Sequence, residues 1–185
     1  MDRRVKYTKL IIEDTFLSLL EKKDISSITV TELCEKADIN RATFYRYYID
    51  IYDLLKKIQD DFINEIKASD PMINLPNYTV YNYTKDILEI FKKNRKLVKL
   101  LFDTNNNVYF LNEVLEVAYD KCTKKWFNKF PDMDEEEITY AAVFVFNGAL
   151  GAINYWIKND FDQDIDDIAR YIKNLTLDGI RKYVK

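Results

Sequence analysis

Apolar positions recur every three to four residues along most of the chain, and alternating strand-like runs are almost absent, which predicts an all-α protein. The clearest local pattern is Thr29–Tyr48, which reads as two short helices joined by a three-residue turn. Thr29 opens the first, with Glu32 at capping-box spacing and Leu33 and Ala37 on one buried face. Asp38-Ile39-Asn40 is the turn, with Ile39 as its apolar plug and Asn40 as the N-cap of the next helix. That helix, Arg41–Tyr48, points Phe44 and Tyr48 inward and Ala42, Thr43, Arg46 and Tyr47 outward. A fourth helix, Ile51–Ala68 with Asp50 as N-cap, carries the stripe Leu54, Leu55, Ile58, Phe62 and Ile66.

Asp70-Pro71 through Leu75-Pro76-Asn77 breaks the helical period. Beyond it the pattern predicts helices over Tyr78–Lys93, Arg95–Phe102, Tyr109–Lys129, Asp134–Lys158 and Asp164–Tyr183, with loops at Asn105–Asn107 and Phe130–Asp132. The expected organisation is therefore a helix-turn-helix domain over 1–50, a connecting helix over 51–69 and a helical domain over 70–185. Within the latter, Ile138–Ile157 is nearly apolar and rich in small residues, including Gly148, Gly151 and Ala152, which permit close helix approach. Asn147 and Asn154 interrupt that run, so no membrane span is expected. On this pattern alone its place is the core of a monomer.

Composition narrows the function more than the fold. Of 185 residues, 48% are apolar and 15% aromatic, with three Gly and three Pro, which suits a packed helical core. Net charge is −3, and the N-terminal third holds slightly more acids than bases. Positive charge is instead placed locally: Arg3, Arg4, Lys6 and Lys9 at the start, Arg41 and Arg46 on the outward face of the second short helix. Placement governs binding because screening limits each charge to about 10 Å. The chain has no histidine, which removes Ser-His-Asp and Cys-His catalysis and His-ligated zinc. Cys34 and Cys122 cannot form a Cys₄ site and read as small core residues. No phosphate-binding glycine motif exists, and the run Asp134–Glu137 reads as a helix start. No enzyme activity, metal or cofactor is expected. Met1-Asp2-Arg3-Arg4 leads into an amphipathic helix instead of a signal peptide, so a cytoplasmic location is expected.

The run Arg41-Ala42-Thr43-Phe44-Tyr45-Arg46-Tyr47-Tyr48 resembles the recognition helix of the TetR family of bacterial transcriptional regulators. Ile12 and Leu17–Leu20 match the family's first helix, Thr29-Val30 and Leu33 its second, and Asp53-Leu54-Leu55 the start of its fourth. The resemblance implies an N-terminal three-helix DNA-binding domain with a helix-turn-helix, followed by a helical ligand-binding and dimerisation domain. It also implies a homodimeric, ligand-responsive regulator, a repressor in the first instance, on a near-palindromic double-stranded DNA operator. Thr43 and Arg46, beside Ala42, would reach base edges. Thr29, Tyr45 and Tyr47 would fix the backbone, with Thr31, Arg41 and Lys56 completing the DNA-binding set.

The same resemblance places a small effector of unknown identity among aromatics of the second domain, for which Phe91, Phe102, Phe110, Tyr119, Trp126, Phe144, Asn147 and Tyr155 are the candidates; ordinary core is the alternative. Gly148, Gly151, Ala152, Tyr155, Ile168, Ile172 and Leu175 are the candidate dimer interface. The chain departs from the family's pattern at three points. Asp38 and Asp24 stand where Gly is usual, and Ile51 where a phosphate-holding lysine is common, leaving Lys56 and Lys57 as partial replacements. Those departures support a rival reading, a helix-turn-helix-derived protein-interaction module that no longer reads DNA.

Overall fold

The computed structural model describes residues 3–69, 79–103, 112–116, 119 and 133–181, with side chains described to Thr176. The chain divides into two compact units, Met1–Phe62 and Ile63–Lys185. No strand occurs among the described residues, and the fold is all-α.

In the first unit, α1 (Arg3–Leu20) leads through a 3-10 turn (Ile25–Ser27) to α2 (Val30–Lys36), α3 (Arg41–Tyr45) and α4 (Ile51–Ala68). The buried side chains Ile12, Phe16 and Leu19 of α1, Leu33 of α2, Phe44 of α3 and Leu54 of α4 are apolar, as helical spacing requires. Arg3, Arg4, Lys6 and Lys9 lie on the first two turns of α1. α4 runs without a break through Phe62 and Ile63, where the two units divide.

In the second unit, α5 (Val80–Lys93) packs along α8 (Ile165–Arg181), and α6 (Arg95–Asp103) against α7 (Glu135–Lys158). Two capping boxes fix helix starts: Thr79 with Asn82 at α5, and Asp134 with Glu137 at α7. α7 ends in two consecutive left-handed residues, Asp160 (φ 58°) and Phe161 (φ 60°). That turn is held by Phe161 edge-on to Trp156 (4.8 Å between centroids) and by Arg95, which pairs with Asp160 at 2.8 Å.

Burial corrects two expectations in this unit. Ile168 and Ile172 lie in the unit's own core, so they are not free to meet a second copy; only Leu175 of that stripe is exposed, at 75%. Phe144 (79% exposed) and Tyr155 (66%) face outward, not into an interior cavity. Periodicity could not separate the two faces of α7, because that helix is apolar almost all round. The predicted helix Tyr109–Lys129, the loops Asn105–Asn107 and Phe130–Asp132, the break after Asp70, and Phe110, Trp126 and Cys122 lie largely or wholly outside the described residues.

Candidate nucleic-acid interface

The turn between α2 and α3 forms because each helix start is capped by its own side chain. Thr29 accepts a hydrogen bond from the Glu32 amide (3.1 Å), and Asn40 accepts from the Thr43 amide (2.7 Å). The Glu32 carboxylate does not return to Thr29 as a capping box would have it. It turns to Lys23 and Lys36, and the Lys23 hydrogen bond holds its pKa below the usual carboxylate range. Asp38 takes the left-handed conformation (φ 52°) that glycine usually supplies, and its short polar side chain tolerates that region better than most. Asp24 is extended (φ −61°, ψ 148°), so no glycine is needed there.

α3 is shorter than the spacing predicts, ending at Tyr45 with Arg46 as C-cap. Arg41, Ala42, Tyr45 and Arg46 are exposed on one surface, with Thr43 and Tyr47 half-buried beside them, while Phe44 and Tyr48 are buried. Arg41 stacks over the Tyr45 ring (5.9 Å), which holds both side chains over the helix. Lys9 of α1 lies 5.9 Å from the Tyr47 ring and brings a further positive charge to this face. Thr29 and Thr31 are exposed at the start of α2. Thr43 donates its hydroxyl hydrogen to Asn40 (2.9 Å), so what it offers outward is its methyl group and an acceptor.

Ile51, in the position expected to hold a phosphate, is 5% exposed and belongs to the core. Its spacing to Leu54, Leu55 and Ile58 places it on the same stripe. Lys56 is exposed and pairs with Asp60 one turn on (3.2 Å). Lys57 is tied to the protein itself, donating to the Tyr47 carbonyl and to Asp53 (both 2.9 Å). Asp53 also accepts from the Ile49 amide (2.8 Å), and the lysine, then that amide, lower its pKa. Behind α3, Tyr48 donates to Glu13 of α1 at 2.9 Å. Burial raises the pKa of both partners. Position alone does not reveal these two ties; the i, i+4 pair Asp53–Lys57 is the one sequence signal for the first.

In the second unit, Asn112, Leu115, Glu116, Tyr119, Val143, Phe146 and Asn147 line an open cleft of ≈ 320 Å³. Tyr119 and Asn147 are the two predicted effector residues it brings together. Phe91 is buried and stacks edge-on with Phe102 (5.9 Å) away from that lining. Asn147 donates to the Val143 carbonyl of its own helix (2.8 Å), which satisfies one amide hydrogen locally. Among the described residues no group of His, Cys, Asp and Glu could hold a metal.

Comparison with known proteins adds the whole-chain context. Residues 78–178 match a TetR C-terminal family model described as a transcriptional regulator C-terminal region. A curated relative, the uncharacterized HTH-type transcriptional regulator YxbF of Bacillus subtilis (strain 168), is 40% identical over 57 residues. That alignment covers 30% of this chain and 15% of the relative, so the chain spans only a small part of that protein's length. Among solved structures, the dihydroxyacetone kinase operon activator DhaS has a TM-score of 0.71 at 21% identity, covering 96% of this chain and 98% of its own. A TetR regulator from Streptococcus agalactiae 2603V gives 0.62 at 23% identity (95% and 96%). FadR from Bacillus subtilis, in complex with stearoyl-CoA, gives 0.68 at 14% (92% and 98%). At these identities the structures speak to the fold alone.

Proposed function

The chain belongs to the TetR family of transcriptional regulators, and from that premise we propose that it is a homodimeric, ligand-responsive repressor acting in the cytoplasm on a near-palindromic operator. It is a regulator and not an enzyme. One observation carries the DNA-binding reading: a capped α3 presents Arg41, Ala42, Tyr45 and Arg46 together on an exposed face, with Lys9 beside it. Arginine is the residue best matched to guanine edges, and tyrosine hydroxyls suit phosphate oxygens. Arg46 reads bases; Tyr45, Tyr47, Thr29 and Thr31 position the backbone.

Dimerisation rests on the outer face of α7 and α8. Tyr140, Val143, Phe144 and Tyr155 of α7 and Tyr171 and Leu175 of α8 are exposed, and a Cβ added at Gly148 or Gly151 would meet nothing within 4 Å. Six large apolar side chains and two bare backbone positions on one helix pair are costly to leave in water. A second copy covers them, and two-fold symmetry then presents two α3 helices to two half-sites. α7 is also long and apolar enough to cross a membrane; its first turn holds Glu135, Glu136 and Glu137, and the family is one of DNA regulators, so a second copy is the better cover. The effector site is the second unit's cleft at Tyr119 and Asn147 together with aromatic neighbours, and α4, continuous through both units, carries its state to α3.

Incubating the full chain with sheared genomic DNA at low salt, then sequencing the retained fragments, tests the reading. Recovery of a small set of related sites supports it. No retention at all would leave the helix-turn-helix as a protein-docking corner.

A further inference from the structure

We propose that Lys57 is a positioning residue of α3, a clasp from α4 that sets the angle at which the DNA-reading face is held; this rests on the reading of α3 given above. The physical need is specific. α3 has five residues, so most of its carbonyls lack a partner within the helix. The Arg46 amide returns to Ala42, and those of Tyr47 and Tyr48 return to Phe44. The Tyr47 carbonyl, just past the helix end, is taken by the Lys57 ammonium at 2.9 Å. A cation at a helix C-terminus also complements the macrodipole.

The clasp is built rather than incidental. Lys57 stands 5.4 Å over the Tyr48 ring, and its second bond, to Asp53 at 2.9 Å, fixes the ammonium in place. Asp53 in turn holds the Ile49 amide, while Asp50 accepts from the Asp53 amide at 2.8 Å. The segment 47–50 is thus sewn to the first two turns of α4 by three hydrogen bonds around one lysine–aspartate pair. Any rotation of α4 drags the C-terminal end of α3, and with it Arg46 and Tyr47. A lysine at this place would otherwise be read as a phosphate contact.

Lys57→Met and Lys57→Arg in the full chain separate these roles. A phosphate ligand contributes about one unit to the slope of log affinity against log salt. A positioning residue leaves that slope unchanged and lowers the preference for a selected site over random DNA. Lys57→Met should reduce that preference about three- to tenfold, the scale of one solvent-accessible hydrogen bond, and Lys57→Arg should restore most of it. In the DNA-free protein, amide exchange at Tyr47, Tyr48 and Ile49 should accelerate in Lys57→Met, with helical circular dichroism confirming that it is folded. A salt slope reduced by one on all DNA, or unchanged exchange at Tyr47–Ile49, would overturn the proposal. If the parent chain selects no site, the DNA reading of α3 fails, and the exchange measurement still decides whether Lys57 clasps it.

Discussion

Tyr48, at the end of the exposed DNA-reading segment, donates its phenolic hydrogen to Glu13 of α1 across 2.9 Å. The bond ties two helices through a carboxylate whose pKa lies above its ordinary value of 4.5, chiefly because burial penalises its charge and Asp61 repels it, with Tyr48 and Lys9 pulling the other way. A carboxyl with a raised folded pKa stabilises the fold below its unfolded pKa, and that contribution is lost as pH rises through the folded value. Urea unfolding of the parent should therefore show one component of stability declining above about pH 4.5, and Glu13→Gln should remove it. Tyr48→Phe deletes the bond that lowers the Glu13 pKa, so the decline should start at the same pH and extend to higher pH. A Tyr48→Phe profile shifted to lower pH would contradict this.

Arg46→Ala should cost on the order of 1–3 kcal/mol on the best operator and flatten the preference among base sequences. Tyr47→Phe should weaken all sequences alike. Competition binding with a panel of single-base operator variants separates the two outcomes.

Ile51→Lys should destabilise the first unit and not tighten binding. Ile51 is 5% exposed, and a lysine there must either bury its charge or unpack the stripe with Leu54 and Ile58, a cost of roughly 2 kcal/mol or more. Thermal unfolding and a salt titration of DNA binding read the two effects. A stable variant with a steeper salt slope would restore the phosphate reading of this position.

Gly151→Trp should leave each chain folded and abolish self-association, since an added Cβ meets nothing in its own chain. Sedimentation and circular dichroism check both halves. A Gly151→Trp chain that still sediments as a dimer would place the interface elsewhere.

Much of this was legible beforehand, and the exceptions have identifiable causes. The bounds of α4 follow from the N-cap Asp50 and an unbroken stripe to Ile66, and the structure places that helix at Ile51–Ala68. Ile51 was readable too, for it stands three, four and seven residues before Leu54, Leu55 and Ile58; family likeness pointed to solvent where the stripe pointed inward. Tyr48 and Phe44 are buried as their spacing requires. Phe144 and Tyr155 were not readable, because a helix apolar on nearly every side gives no phase. Lys57 was hidden for another reason: its partner is a backbone carbonyl, which every residue has.

Pairwise reading of DNA by α3 is the central claim. Footprinting a fragment retained from the genomic selection, with the number of bound chains measured by sedimentation, tests that most directly. The result expected is two chains per fragment and two protected half-sites related by a near-palindrome, about 34–36 Å or a small multiple apart. A single protected site holding one chain, or even protection along the whole fragment, would contradict it.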